Sequence, residues 1–330
     1  MQNFPIDFVL MWVDGNDAEW KKLKSQYDGG VSEQANADNR FRDWDLLKYW
    51  FRAVEFFTPW VNSVYFVTCG HYPEWLNLDA PKLKFVKHSE FIPEEYLPTF
   101  SSHPIELNLH RLPGLSENFV LFNDDVFILK PLKEEAFFKS GLPNDVFIQS
   151  FNAPVKGAEV MCNISYNDLE VINSHYSKFD SIKRHPFKYF SLSYGADLLQ
   201  NIYAFPIKLT GLKALHSAFS YNKKTFENLW EAEYERLSNT CKHKFRDRSD
   251  VNQWVFSWDQ IMRGYFSPIN PKKRKYFTIG DSNAISTILK QSADIVCLND
   301  GNMNVDFEFE KERLIKAFEK ILPNKSSFEV

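Results

Sequence analysis

Two adjacent carboxylates, Asp124 and Asp125, follow the apolar run of residues 119–122 and are preceded by Asn123. Carboxylates directly after a buried strand supply the oxygen ligands that a divalent cation needs when it also holds a nucleotide diphosphate. A turn in which Asn and Asp accept hydrogen bonds from backbone N–H groups has the same composition. The triplet is therefore consistent with a cation site and with an ordinary turn.

A second acidic segment, from Asp14 to Asp17, comes after the apolar run of residues 8–13. We interpret this run as a central strand buried on both faces, and in open α/β sheets ligands bind beyond the carboxyl ends of such strands. Asx-Gly segments are also common turns. Asp14 and Asp17 are candidates only because they follow a central strand.

Positive charge is concentrated in residues 242–250, just before a helical pattern that starts at Val251. A helix N-terminus favours anions, so Arg246 and Arg248 could bind phosphate there. The alternative is a solvated charged loop in which Ser249 or Asp250 is the helix N-cap.

Histidines in two segments could carry a proton near neutral pH. His103, Glu106 and His110 recur at helical spacing, on one face of a helix predicted over residues 104–112. The alternative is a solvated helix surface. His216 lies outside any periodic element, and it fits a proton carrier or a core histidine equally.

Strand and helix patterns alternate through the first 150 residues, which predicts a mainly parallel sheet with helices on both faces. The predicted elements are strands at residues 8–13, 63–68, 83–86 and 295–298, apolar runs on each side of residues 123–125, and helices at 46–57 (with Asp43 as N-cap), 104–112, 226–237, 251–262 and 314–321. Residues 151–215 show no clear pattern.

The composition excludes several classes of protein. The 330 residues carry 39 Lys and Arg against 43 Asp and Glu, a net charge of −4 that gives nucleic acid no general attraction. Four scattered cysteines form no C-x-x-C pair, which argues against a zinc cluster and predicts reduced thiols in the cytoplasm. No signal peptide, membrane span or P-loop is evident. The basic run of residues 272–275 is expected to be a solvated loop or, second, a membrane contact.

Four blocks, at residues 6–17, 40–125, 216–252 and 297–300, together resemble the Stealth family. That family includes bacterial capsular and exopolysaccharide hexose-1-phosphate transferases and the animal N-acetylglucosamine-1-phosphotransferase. The resemblance implies an α/β, Rossmann-like (GT-A-like) fold with a mainly parallel sheet, flanking helices and a largely helical C-terminal part. It also implies one catalytic domain over residues 1–300 (core 1–150 and 201–300, variable insertion at about 151–200), with a C-terminal amphipathic helix in residues 301–330 packed on it.

The reaction implied by the resemblance is attack of a glycan hydroxyl on the β-phosphorus of a UDP-sugar, with UMP leaving and Mg²⁺ or Mn²⁺ as cofactor. The acceptor would be a lipid-linked oligosaccharide, met by a cytoplasmic enzyme at the inner face of the plasma membrane. The implied residues are Asp124, Asp125, His216 and Arg246 in catalysis, Asp14, Asp17, Arg40, Arg42, His103, Arg248 and Asn299 in donor binding, and Asp124, Asp125 and Asp300 at the metal.

Two other functions fit the same residues. A GT-A-type glycosyltransferase would use the same fold and cation but cleave the sugar C–O bond and release UDP. A non-catalytic carbohydrate-binding protein would stack its aromatic side chains on sugars and hold structural calcium with its carboxylates.

Overall fold

A computed structural model describes residues 4–29, 42–153, 156, 158–301 and 305–330. The strands are β1 (Ile6–Met11), β2 (Val64–Thr68), β3 (Leu83–Lys87), β4 (Asn118–Asn123), β5 (Val126–Ile128), β6 (Phe138–Lys139), β7 (Leu142–Asp145), β8 (Phe219–Asn222), β9 (Ser267–Pro268), β10 (Arg274–Thr278) and β11 (Ile295–Asn299). The helices are α1 (Ala18–Lys24), α2 (Leu47–Phe57), α3 (Ser102–Leu107), α4 (Glu159–His175), α5 (Lys178–Arg184), α6 (Pro186–Tyr189), α7 (Asp197–Tyr203), α8 (Lys223–Ala232), α9 (Tyr234–Lys242), α10 (Trp254–Met262), α11 (Ser282–Lys290) and α12 (Phe307–Ile321).

The central sheet has five strands in the order β3-β2-β1-β4-β8. Strands β1 to β4 pair in parallel, and β8 lies antiparallel at the edge beside β4. This arrangement confirms the predicted α/β fold with a mainly parallel sheet. The continuous apolar runs of β1 and β4 follow from burial on both faces of the sheet.

Alternate residues of β1 enter two separate hydrophobic cores. Phe8 and Leu10 pack with Trp50 of α2 on one face, and Val9 packs with Val255 of α10 on the other. Because successive side chains of a strand point to opposite faces, one six-residue strand anchors both helical layers. Among the described residues, no helix is both long and apolar enough to cross a membrane.

The ends of several strands meet at one edge of the central sheet. Met11, the last residue of β1, is paired with Asn123, the last residue of β4. Strand β5 starts just after the acidic triplet and belongs to a second sheet, β10-β11-β5. In that sheet Val126 of β5 pairs with Cys297 of β11. Since β8 runs antiparallel to β4, its start also lies at this edge. The topology therefore brings four distant stretches of sequence together.

Three local predictions are wrong. Asp43 does not cap α2, because its carboxylate accepts from the N–H of Asp45 and the helix starts after Leu46. The predicted cap of α10 by Ser249 or Asp250 is replaced by Gln253. The basic run is not simply solvated, because Arg274 donates to the carbonyls of Ala218 and Ala136.

Two further segments differ from the sequence pattern. The helix predicted over residues 226–237 is two helices, α8 and α9, which meet at Glu233. Residues 151–215 contain the helices α4 to α7, whose pattern is obscured because polar side chains such as Asp168 and Asn201 are buried. Asn201 bonds the backbone of Phe147, Gln149 and Tyr189, so its burial is satisfied.

Candidate active site

A cavity of about 740 Å³ opens where the strand ends meet. Its size lies within the usual range of small-molecule sites. Four tryptophan side chains, those of Trp12, Trp20, Trp44 and Trp254, line it. The predicted site residues that also line it are Arg42, His103, Asp124, Asp125, His216, Arg246, Asn299 and Asp300.

Asp125 lies at the centre of a small polar cluster. Its Oδ2 is 3.5 Å from Nε2 of His216 and accepts the Sγ–H of Cys297 at 3.3 Å. Burial disfavours the charged imidazole, but the hydrogen bond and charge of Asp125 outweigh it and raise the pKa of His216. The carboxylate thus increases the basicity of an imidazole that faces the cavity.

Asp124 is open to the cavity yet enclosed by its walls. This desolvation, together with the charges of Asp125 and Asp43, raises the pKa of Asp124 to about 7. Asp43 lines the same cavity, and desolvation raises its pKa as well. The cavity therefore concentrates carboxylates whose charges oppose one another, a situation that a bound cation relieves.

Two buried oxygens in this cluster have no hydrogen-bond partner within the described part of the chain. They are Oδ1 of Asn123 and Oδ1 of Asp125, on either side of Asp124. Buried polar atoms in proteins are nearly always bonded, so such orphaned acceptors point to a missing ligand. Carboxylate and amide oxygens are the donors that Mg²⁺ and Mn²⁺ prefer, and the residues present fit such an ion.

Asp300 is held by Arg42. The guanidinium donates from Nε to Oδ2 at 2.8 Å and from Nη2 to Oδ1 at 2.7 Å, and Nε1 of Trp44 donates to Oδ2 at 3.1 Å. A bidentate pair of this kind fixes the orientation of both side chains. Asn299 precedes Asp300 at the end of β11, beside β10. The assignments of Arg42 and Asn299 to the donor and of Asp300 to the metal stay predictions.

Arg246 enters the cavity from the loop between α9 and α10. Its Nη2 donates to Oγ of Ser102 at 3.2 Å, and within the described ranges it forms no ion pair with a carboxylate. Desolvation lowers the pKa of Arg246, although Glu106 and Asp250 partly oppose this. A charged guanidinium held this way has hydrogen-bonding capacity left for an anionic ligand.

The N-terminus of α10 does not serve as the anion site that the sequence suggested. The N–H of Trp254 donates to Oδ1 of Asn252, and the N–H of Gln253 lies 3.4 Å from a carboxylate oxygen of Glu106. These donors are already engaged, and a carboxylate occupies the favourable end of the helix dipole. The guanidinium of Arg246, and not this helix end, is therefore the candidate anion-binding group of the basic loop.

His103 is positioned by the carboxylate of Asp250, which does not cap α10. Asp250 is fully buried and accepts from Nδ1 of His103 at 3.0 Å and from Nδ1 of His243 at 2.7 Å. Burial alone would raise its pKa, but the two histidine bonds lower the pKa of Asp250 overall. No local signal reveals this contact, because it joins residues 147 positions apart.

Three of the predicted donor residues lie away from the cavity lining, and a fourth cannot be placed. The carboxylate of Asp14 accepts from the N–H of Asn16, and Asp17 caps α1 by accepting from the N–H of Trp20. Arg248 is exposed, and its carbonyl accepts from Asn167. Arg40 lies outside the described residues. The structure therefore gathers the acidic triplet, His216 and Arg246 at the cavity, and from the segment after β1 it brings Trp12 and Val13 to the lining but not Asp14 or Asp17.

Replacing Asp250 with asparagine is expected to lower the free energy of unfolding by about 3 kcal/mol, because an amide cannot accept from both imidazoles and leaves a buried donor unpaired. Urea denaturation measures the change. Glu170→Gln, which breaks the exposed ion pair with Arg236, is the matched control and should cost less than about 1 kcal/mol. Equal losses in both variants would show that the Asp250 contacts contribute little.

The size of this loss should depend on pH. The pKa of Asp250 is lower in the folded protein than in the unfolded chain. Its carboxylate therefore contributes fully to the free energy of unfolding above its unfolded pKa of about 3.9, and this contribution is lost as pH falls through the lower folded pKa. The hydrogen bond to Asp250 raises the pKa of His243, whose contribution is full below about 6.5 and is lost as pH rises through its folded value. The difference between the variant and the native chain should therefore be greatest between these limits and shrink below about pH 4.

Comparison with known proteins identifies the family. The model of Stealth protein conserved region 1 matches residues 4–32, and that of conserved region 2 matches residues 40–145. The capsular polysaccharide phosphotransferase WcwK of Streptococcus pneumoniae is 43% identical, with 98% of each chain covered. The receptor polysaccharide phosphotransferase WefC of Streptococcus gordonii is 39% identical (98% of this chain, 99% of the relative), and the exopolysaccharide phosphotransferase cps2G of Lactiplantibacillus plantarum is 36% identical (99% and 96%). Near full-length similarity at these identities shows that the chain belongs to the Stealth protein family.

Proposed function

We propose that this protein is a polysaccharide phosphotransferase that moves a sugar-1-phosphate from a UDP-sugar to a hydroxyl of a growing capsular polysaccharide or exopolysaccharide. The observation that carries the proposal is the convergence of Asp125, His216 and Arg246 in one cavity large enough for a nucleotide. A carbohydrate-binding protein does not need a basic imidazole such as that of His216. It also does not need a guanidinium such as that of Arg246, which can still bind an anion. The names of the full-length relatives support transfer of a phosphate-containing group.

In the proposed reaction, the acceptor oxygen forms a bond to the β-phosphorus, and the bond between that phosphorus and the bridging oxygen breaks. UMP leaves with the bridging oxygen, and the sugar keeps its anomeric C–O bond. His216 takes the hydroxyl proton on the ring nitrogen that does not face Asp125, and Asp125 holds the resulting imidazolium at Nε2. Arg246 donates to the phosphate oxygens, on which negative charge is concentrated.

A divalent cation, Mg²⁺ or Mn²⁺, completes the proposal. Asp124, Asp125 and the side-chain oxygen of Asn123 would hold it, and Asp300 is a further candidate. When bound, such an ion neutralises charge on the pyrophosphate. The residues themselves contribute a cluster of acidic oxygens that is otherwise under mutual repulsion.

The side chains that line the cavity offer candidates for binding the donor. Trp12, Trp44 and Trp254 offer flat apolar surfaces on which a base or sugar ring can stack. Arg42, His103 and Asn299 are the donor-binding candidates inside the cavity. We place the acceptor on a lipid-linked oligosaccharide, so the enzyme would work in the cytoplasm, peripherally at the inner face of the plasma membrane.

Removal of divalent cations is expected to lower turnover by at least about 100-fold, because the ion supplies several kcal/mol of charge stabilisation. The test screens UDP-sugars with an acceptor glycan and measures UMP release with and without EDTA. Adding back excess Mg²⁺ or Mn²⁺ should restore the rate. EDTA-resistant release of UMP would contradict the cation assignment, whereas release of UDP would favour an ordinary glycosyltransferase.

A further inference from the structure

Large apolar side chains project from one stretch of the surface, between α6 and the end of α7. Phe187 is 89% exposed, Leu192 87%, Tyr203 79% and Leu199 70%, and Ile202 is also exposed. We call these five residues the α6–α7 surface. Single exposed apolar residues are common, but five within seventeen positions mark a site of interaction.

Helix α7 exposes more apolar side chains than an ordinary surface helix does. Leu199, Ile202 and Tyr203 recur at positions i, i+3 and i+4 and share the outer face. The inner face carries Leu198, which packs against the core, and the buried amide of Asn201, which bonds the backbone of Phe147 and Tyr189. A helix that exposes most of its large apolar residues is suited to an apolar environment outside the protein.

The α6–α7 surface rests on a packed base. The ring of Phe205 contacts those of Phe179 and Phe190, each at a centroid distance of 5.8 Å. Nζ of Lys178 donates to the carbonyls of Ala204 and Phe205. These contacts fix the backbone on which the exposed side chains stand, so their exposure is built into the fold.

The charge around this surface is positive. Residues 178–213 contain six Lys and Arg and two Asp, whereas the whole chain has a net charge of −4. Lys183, Arg184 and Lys208 are exposed in this stretch. A stretch that exposes both apolar and basic side chains matches an anionic bilayer, in which the rings enter the interface and the cations meet lipid phosphates.

A second copy of the chain is a poorer fit. A twofold dimer through this surface would bring the same basic residues of both copies together, and their repulsion would oppose association. The strongly projecting side chains suit insertion into a fluid interface.

We propose that the α6–α7 surface docks the protein on anionic phospholipid membranes. The membrane setting rests on the proposed function, and the evidence for docking is the exposure and charge of these residues.

Vesicle flotation tests the inference with the full-length chain. Vesicles of phosphatidylcholine alone and of phosphatidylcholine with 30% phosphatidylglycerol are compared at low and high salt. The native chain should float with the anionic vesicles, and this binding should weaken with salt. The triple variant Phe187→Ser, Leu192→Ser and Tyr203→Ser should bind at least about tenfold more weakly.

Matched controls separate the surface from general effects of substitution. Tyr234→Ser, Phe309→Ser and Val330→Ser remove three exposed apolar side chains elsewhere and should bind as the native chain does. Lys183→Glu with Arg184→Glu should weaken binding to the anionic vesicles about tenfold or more. Lys316→Glu with Lys320→Glu, on α12, is the matched charge control and should have a smaller effect.

Three outcomes would overturn the inference. They are absence of vesicle binding by the native chain, equal binding by both triple variants, and a native dimer by light scattering that the Phe187, Leu192 and Tyr203 variant loses.

Turnover is measured separately with a water-soluble acceptor oligosaccharide, on which all variants should release UMP at the native rate. Loss of vesicle binding with UMP release intact therefore concerns docking alone, and absence of UMP release by the native chain concerns the proposed function alone.

Discussion

Asp125→Asn is expected to lower transfer by about 10³-fold or more. The substitution removes the charge that raises the basicity of His216, and it replaces a carboxylate at the orphaned Oδ1 position. The folded state should lose little stability, because the change relieves repulsion with Asp124. Steady-state UMP release and thermal unfolding measure the two effects.

Asp79→Asn is the matched control for this substitution. Asp79 is exposed and lies outside the cavity lining, so its variant should keep native turnover and stability. Native turnover in purified Asp125→Asn would remove that carboxylate from the mechanism. A variant that unfolds would instead show that Asp125 has a structural role that its contacts do not reveal.

Arg246→Ala is expected to lower transfer by about 10³-fold, since arginines that stabilise phosphoryl-transfer charge contribute effects of this size. The guanidinium contacts only Ser102 and Met161 at close range in the described structure, so the fold should tolerate its loss. Arg246→Lys should recover part of the rate because it keeps the charge but not the planar set of donors. A lower rate at saturating donor would place the loss in the chemical step. A higher KM for the donor would place it in binding.

Arg248→Ala provides the comparison that sequence alone cannot make. Both arginines lie in the same basic loop, but Arg246 lines the cavity and Arg248 is exposed outside it. The Arg248 variant should therefore keep turnover within about twofold of the native rate, by analogy with neutral surface substitutions. If loss of Arg248 stops transfer and loss of Arg246 does not, the orientation of this loop in the proposed site is wrong.

Much of the fold could be predicted because burial controls it directly. The apolar runs of β1 and β4 are continuous since both faces of each strand are covered, and α2 repeats its apolar residues with helical spacing. The segment from α4 to α7 could not be predicted. There the buried side chains include polar ones, and α7 exposes most of its large apolar side chains, so hydrophobic periodicity gives the wrong signal.

The candidate site was predictable where chemistry and strand ends coincide. Asp124 and Asp125 follow β4, and the register of β4 with its neighbours explains why they share an edge with Cys297 and the segment of His216. Asp250 was missed because its role depends on contacts between distant residues. Asp14 and Asp17 follow a central strand as expected, but their carboxylates are engaged in local turn and cap bonds.

The fate of the β-phosphorus distinguishes phosphotransfer from glycosyl transfer. The native chain is incubated with an acceptor glycan and a UDP-sugar labelled with ³²P at the β position, and the nucleotide and glycan products are separated. If the enzyme transfers sugar-1-phosphate, the label enters the glycan as a phosphodiester, in an amount equal to the unlabelled UMP released. Label that stays in UDP while the sugar enters the glycan would contradict it and establish glycosyl transfer.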